Sequence, residues 1–450
     1  MKNFDNTSPV IFQTADIDKE IIIKEQTGSW QRLRRLIATF LMVIFAGLPF
    51  IEFNGQQAIL FDIGAQQLRF FGLIFYPQDL LIFFFVFVIA AFLLFFVSAR
   101  YGRLWCGFLC PQTIWSFMFF WTQFRFEGNY QAQKKLSKLP WSTDKLTRKG
   151  LKHVAWLLIA FFTATTFMSY FTPVKPLYIA IFTGELSALF WGWVLFFAFA
   201  TYTNAGWIKE KMCEHMCPYS RFQSAMIGDE TKVITYQASR GEPRAPRKLN
   251  REKPDGLGDC VDCNLCVQVC PVGIDIRQGF QYQCISCGLC IDACNQVMTR
   301  FGYAKGLIAN VANRASNKLR SIAYISVIVV FTAIFAVWLA NRSLIEVSII
   351  KDRNVLYREN LDGRFENSYQ IKLLNKTNQA KRLILSLPEN EGFTIENNKP
   401  ILLDKEENKL LLINVTSPEG HSAQFTELTF MLTSEQEKVI TKSKFHAKAW

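Results

Sequence analysis

The sequence predicts a multi-domain membrane protein. It would have an α-helical transmembrane bundle of about five spans, a cysteine-rich segment between the fourth and fifth spans, and a C-terminal all-β Ig-like sandwich. Three observations predict this. Half of the 450 residues are hydrophobic, and the 42 Phe bunch into long apolar runs, as a bilayer requires and an aqueous core does not. All 12 Cys lie between Cys106 and Cys294, in short regular spacings. From about Leu344 onward, short segments alternate apolar and polar residues between turn-forming stretches.

The apolar runs are Leu36–Ile51, Leu80–Ser98, Val154–Phe171, Leu186–Ala205 and Ile322–Ala340. About 20 residues cross a bilayer, so each is a candidate span. The first is short and gains a turn if it begins at Leu33, with Arg34 and Arg35 snorkelling. The first 29 residues are polar, with no early apolar core, so the first run itself would act as the membrane signal. Lys and Arg cluster before the first run, between the second and third, and from Gly206 to Arg320, and they are sparse in the other loops. By the positive-inside rule the N-terminus and the cysteine-rich segment are cytoplasmic, and the C-terminal domain is extracytoplasmic. The formal charge of +13 is therefore read as a topology signal in contact with membrane lipid. Nucleic acid is not an expected partner.

The predicted layout follows. Residues 1–30 form a cytoplasmic tail, and 31–205 a four-helix transmembrane region. Within the latter, 104–121 is apolar but contains Pro111, and it reads as a re-entrant or interfacial helix on the cytoplasmic side. Residues 206–320 form a cytoplasmic segment, 321–341 the fifth span, and 342–450 the sandwich. In that sandwich Tyr369–Leu374, Arg382–Leu387, Lys409–Val415 and Gln424–Leu432 read as strands. The stretches Leu361-Asp362-Gly363, Pro388-Glu389-Asn390 and Ser417-Pro418-Glu419-Gly420 read as turns. Roughly seven short strands fit an Ig-like fold.

The strongest chemical signal is Cys260-Val-Asp-Cys263-Asn-Leu-Cys266-Val-Gln-Val-Cys270-Pro271, repeated as Cys284-Ile-Ser-Cys287-Gly-Leu-Cys290-Ile-Asp-Ala-Cys294. A four-iron cubane takes three thiolates from one tight loop and its fourth from the other run. The assignment is Cys260, Cys263, Cys266 and Cys294 to one [4Fe–4S] cluster, and Cys284, Cys287, Cys290 and Cys270 to the other. A ferredoxin-like domain over about 255–300 follows. Zinc also takes four thiolates, but a duplicated four-Cys run with Pro271 suits clusters. Asn295 stands where a simple ferredoxin has its second proline. Two one-electron centres in one small lobe make an electron relay.

Four cysteines remain, Cys106 with Cys110 and Cys213 with Cys217. Each pair is CxxxC followed by a proline, Pro111 or Pro218. On a helix, i and i+4 share a face. If the pairs face each other, within one chain or across a homodimer, four soft sulfur ligands converge. Such ligands suit Cu(I), Zn or an Fe–S cluster. Met212, Met216 and His215 read as packing and surface residues, and His153 as an interface residue.

These stretches resemble a family. Tyr101-Gly-Arg-Leu-Trp-Cys106-Gly-Phe-Leu-Cys110-Pro-Gln-Thr-Ile-Trp115 is similar to a signature of the FixG/CcoG (RdxA) cytochrome c oxidase accessory proteins. So are Cys213-Glu-His-Met-Cys217-Pro-Tyr-Ser-Arg-Phe-Gln, Gly273-Ile-Asp-Ile and Cys294-Asn-Gln-Val-Met. The likeness runs from about residue 30 to the end. It implies a multi-pass protein of the bacterial cytoplasmic (inner) membrane that acts in assembly of a cbb-type haem–copper oxidase by reducing Cu(II) to Cu(I). Cys106, Cys110, Cys213 and Cys217 would then be the catalytic copper or redox site, fed by the ferredoxin cysteines. The implied partners are oxidase subunits or copper-handling assembly proteins, with an electron donor that the sequence does not name. Two other readings stand beside it, a non-catalytic assembly factor and a quinol-linked electron-transfer subunit.

Overall fold

The fold is a computed structural model. It describes residues 21–448 apart from 250–252, 313, 315–317, 353–354, 361, 391, 397–398 and 435–437. The N-terminal tail as far as residue 20, and Leu361 of the first turn, lie outside the described residues. The chain forms two compact units. One contains residues up to Phe50 with Leu81–Ala333, and the other contains Ile51–Leu80 with Ile334–Trp450.

The first unit and its flanks carry the helices. These are α1 Ser29–Gly47, α2 Leu81–Tyr101, α3 Leu104–Phe108, α4 Pro111–Glu127, α5 Tyr130–Lys138, α6 Thr143–Met168, α7 Val174–Thr183, α8 Ala188–Thr203, α9 Pro218–Met226, α10 Ala238–Gly241, α11 Leu265–Gln268, α12 Leu289–Arg300 and α13 Lys318–Ala340. Among the described residues five stretches are long and apolar enough to cross a membrane. They are Ser29–Phe50, Pro77–Tyr101, Thr143–Met168, Ala188–Ile208 and Lys318–Ala340. Each overlaps one apolar run of the sequence. The third begins eleven residues before the apolar run because the Ser142 side chain accepts from the Lys145 N–H at 3.3 Å, capping a polar first turn onto the apolar helix. On that polar part, Lys152 pairs with Glu127 of α4 at 2.7 Å, both side chains being buried. A desolvated pair like this costs roughly 3–5 kcal/mol to break by removing one partner.

The apolar stretch over 104–121 is not one helix. It breaks at Leu109–Cys110 into α3 and α4, and α4 continues to Glu127. Pro111 fixes its own φ for the first position of α4 and pushes Cys110 into extended backbone (φ −66°, ψ 126°). A second break follows α8. There the chain passes through a π-turn at Asn204–Ile208, turns at Lys209 with φ 48°, and makes another π-turn at Met212–Met216. The Gln112 amide donates to the carbonyls of Asn204 and Lys209 at 3.2 and 3.0 Å, which ties α4 to the helix end beyond α8.

The ferredoxin lobe grips the start of α1. The Asp292 carboxylate accepts from the backbone N–H groups of Trp30 and Gln31 at 3.2 and 2.9 Å and from the Ser29 hydroxyl at 3.3 Å. A residue 261 positions away in sequence from Gln31 thus serves as the cap that Gly28 has no side chain to provide. A two-stranded ribbon, Val233–Tyr236 with Ile308–Val311, brackets the lobe in sequence.

The second unit is the sandwich. One sheet orders strands 394–395, 408–416, 365–375 and 345–351, with 358–359 on its margin, and the other orders 401–403, 381–386, 425–433 and 438–446. Nine strand segments stand among the described residues in place of roughly seven, because short edge strands carry little alternation. Tyr369, Ile371, Leu373, Leu385, Phe430 and Phe445 fill the core. The loop over residues 51–80 joins this unit. Asp79 pairs with Arg342 at 2.5 Å and Lys376 at 2.9 Å, and Arg69 pairs with Glu406 at 2.8 Å. Ile74 and Tyr76 bury against Leu374.

Candidate functional site

Both cysteine runs fold as the same loop. In the first, Asp262 and Asn264 adopt left-handed backbone (φ 48° and 56°), and in the second the matching residues Ser286 and Gly288 do so (φ 54° and 77°). Alternating right- and left-handed residues turn consecutive N–H groups to one side and make a concavity for an anionic group. A thiolate-bound iron–sulfur core is such a group. Arg277 braces the first loop at these two residues, donating to Asp262 at 2.5 Å and to Asn264 at 2.6 Å. Gly288 has a second constraint, since a Cβ there would stand 2.6 Å from the Trp30 ring.

The structure brings the eight cysteines together as two quartets. Cys260, Cys263, Cys266 and Cys294 line one cavity, walled by Tyr236, Met298 and Ile308. Cys270, Cys284, Cys287 and Cys290 lie within mutual electrostatic range, deeper in the lobe. Each quartet thus takes one member from the other run. Burial pushes the Cys266 and Cys294 thiols up to about 12, and it drives Cys290 well above its ordinary range. Among the described residues no three Cys, His, Asp or Glu side chains converge closely enough to hold a single ion. The donor set and the loop conformation fit four-iron clusters.

The other four cysteines lie within electrostatic range of one another in a single chain. Cys106 has Cys110, Cys213 and Cys217 in its electrostatic surroundings, and Cys213 has Cys110 and Cys217. The expected i, i+4 helical face is corrected in both pairs. Cys106 lies in α3 while Cys110 precedes α4. Cys213 lies in a π-turn while Cys217 is extended (φ −78°, ψ 111°) ahead of Pro218. Each proline opens a helix and holds its cysteine just outside it. Burial pushes the Cys106 and Cys213 thiols up to about 12, and the buried Arg103 guanidinium opposes this at both. Glu210, beside Cys213, is also pushed up by burial, to about 7.

Non-local hydrogen bonds hold the two CxxxCP segments together. The Cys106 thiol donates to Gln223 Oε1 at 3.2 Å, and the Gln223 amide donates to the Gly102 carbonyl at 3.1 Å. Arg103 donates to the Ser220 carbonyl at 2.8 Å, and Tyr219 and Ser98 share a hydroxyl contact of 2.9 Å. The assembled site abuts the deeper quartet. Cys106, Ile285, Cys287 and Leu289 share one apolar core, with Cys270 packed against it. At Gly107 a Cβ would stand 2.7 Å from the Ile285 carbonyl oxygen. His215 is exposed beside Glu214 at 3.8 Å, Met216 is exposed, and Met212 is half-buried. His153 contacts the Tyr202 hydroxyl at 2.9 Å.

Comparison with known proteins agrees with this architecture. Residues 208–313 match the model of a 4Fe-4S dicluster domain, and residues 335–448 match that of the Ig-like fold at the C-terminus of FixG. The nitrogen fixation protein FixG of Rhizobium meliloti is 30% identical, over 91% of this chain and 88% of its own. Protein RdxB of Cereibacter sphaeroides is 33% identical over 81% of each chain, and protein RdxA of the same organism is 29% identical over 91% and 92%. The chain belongs to the FixG family. A crystal structure of a FixG-related protein from Vibrio parahaemolyticus aligns with 24% of this chain and 99% of its own, at 24% identity and a TM-score of 0.22.

As a FixG-family member the chain is a redox protein with iron–sulfur clusters. Sequence reasoning missed several residues that build its site. Arg103, Gln112 and Gln223 lie inside the stretches that carried the family likeness, which was the available signal. Asp292 and Arg277 had none, because their partners are far away in the chain or depend on a loop conformation.

Proposed function

We propose that this chain reduces Cu(II) to Cu(I) at the cytoplasmic edge of the membrane during biogenesis of a cbb-type cytochrome c oxidase. The observation that carries the reading is that Cys106 shares one apolar core with Cys287 of the deeper quartet while it lies within electrostatic range of Cys110, Cys213 and Cys217. Cys260, Cys263, Cys266 and Cys294 would hold one cluster, and Cys270, Cys284, Cys287 and Cys290 the other. When bound, the clusters supply reversible one-electron chemistry. Copper is the substrate, taking one electron per ion. Soft thiolates favour the Cu(I) product over Cu(II). Arg103, buried and within electrostatic range of Cys106, Cys213 and Cys284, offsets part of the negative charge that ligated thiolates bring to a low-dielectric site.

One feature of the second unit supports the five-span count. Asp79, at the start of the second span, pairs with Arg342 and Lys376 after the fifth. Segments in contact lie on one side of a membrane, so an even number of crossings separates them. Four spans between them satisfy this, and α3–α4 then does not cross. The sandwich would be the extracytoplasmic docking module for oxidase subunits or copper-handling assembly proteins.

Two variants test the reading. Cys263→Ala should remove one cluster's absorbance and paramagnetic signal and block copper reduction. Cys110→Ala should keep both cluster signals and lose copper reduction. Cluster signal lost in Cys110→Ala would reassign that pair to an Fe–S centre.

A further inference from the structure

We propose that the cleft between α1 and α4 is a binding site for a membrane quinone, the lipid-soluble donor to the relay. The proposal rests on the relay reading for the direction of the electrons, while the binding itself stands on the cleft. The cavity holds about 530 Å³, which suits a ring with part of its tail. Its walls are apolar, with Met42 and Val43 of α1 facing Phe117 and Phe124 of α4, and Phe162 at the far end. Its other end is polar, with Gln31 and Arg34 joined by Lys24, Glu25, Gln26 and Arg35.

Arg34 is the decisive residue. It is 4% exposed, and its guanidinium lies 3.3 Å over the Phe117 ring. One amino nitrogen donates to the Gln31 side chain, while the other, Nη1, is buried without an acceptor. A buried charged donor without an acceptor is costly, and a ligand oxygen in the cleft would relieve it. One free N–H suits a quinone carbonyl. A phosphate headgroup is better matched by several charged donors converging on it; of the other cations lining the cavity, Arg35 is already paired with Glu25 at 3.1 Å and Lys24 belongs to the segment that precedes α1.

The polar end also adjoins the deeper cysteine loop. Gly107 and Leu289 line the cavity. Gly107 touches the Ile285 carbonyl, and Leu289 shares its core with Cys287. Oxidation of a quinol there breaks two O–H bonds. Two protons would leave through the mouth beside Lys24 and Glu25, and the two electrons would be left for the one-electron centres that the two cysteine quartets would hold.

The test uses the full-length protein in nanodiscs with decylubiquinone, following quenching of tryptophan fluorescence, and a photoreactive azidoquinone to locate the label. Saturable binding, with label on α1 and α4, is expected. Arg34→Gln should weaken binding roughly tenfold or more. Ala38→Phe, which fills the cleft without removing a charge, should block it while leaving cluster absorbance intact. Absence of saturable quinone binding, label elsewhere, or displacement only by phosphatidylglycerol would overturn the proposal. Copper reduction by dithionite-reduced protein is measured alongside. If it persists while quinone fails to bind, only the donor site is wrong, and if it fails while quinone binds, only the copper reading is wrong.

Discussion

The Cys106 thiol donates a 3.2 Å hydrogen bond to Oε1 of Gln223, joining two CxxxCP segments that are separate in sequence. Gln223 is fully buried and also donates to Gly102. It therefore sets the distance between the cysteine pairs.

Gln223→Leu should open that junction. Loss of these buried bonds should lower stability by roughly 2–3 kcal/mol, read as a fall in the thermal unfolding midpoint. Both cluster spectra should survive, since the hydrogen bonds of Gln223 run to Cys106, Ser98, Gly102 and Tyr219, while the copper reaction slows.

Gly107→Ala probes the seam between the membrane cysteines and the deeper quartet. Its Cβ would meet the Ile285 carbonyl at 2.7 Å, a backbone atom that cannot step aside cheaply. The seam should widen, and reoxidation of the reduced clusters by Cu(II) in stopped flow should slow at unchanged cluster content.

Asp292→Asn should weaken the cap on α1. The carboxylate serves two backbone donors and a hydroxyl, so a loss of about 1 kcal/mol is expected. Hydrogen exchange should rise at Trp30 and Gln31 before it changes elsewhere in α1.

Alkaline pH should separate the apo and loaded lobes. In the cluster-free fold, burial raises the Cys266 and Cys294 thiols to about 12 from an ordinary value near 9. Above that ordinary value the unfolded chain releases protons that the fold still holds. The stability these groups contribute is therefore complete below about 9 and is lost as pH climbs toward 12. In loaded protein the thiols are already deprotonated as ligands, so this decline should vanish. Unfolding midpoints of apo and loaded protein from pH 8 to 11 test it.

The sequence was most legible where function depends on local spacing or strict alternation. Both CxxC runs were readable because each loop is contiguous. The strands expected at Tyr369–Leu374 and Lys409–Val415 appear within Phe365–Asn375 and Asn408–Thr416, since one face of each is buried. The helix expected over 104–121 failed at Cys110, where Pro111 favours a break, and the shared face of each cysteine pair failed with it. The short strands between residues 52 and 75 were missed because they draw stability from Glu406 and Leu374, over 290 residues away. Arg34 looked like a snorkelling cation and is instead buried against Phe117, because α4 covers it.

The most direct test of the account is an anaerobic stopped-flow titration. Dithionite-reduced protein, freed of excess reductant, is mixed with Cu(II) while cluster absorbance is followed. The account predicts prompt recovery of the oxidised spectrum with one Cu(I) formed per electron lost, and no such recovery in Cys110→Ala. Reduced clusters that persist in the presence of Cu(II), with wild-type cysteines intact, would contradict it.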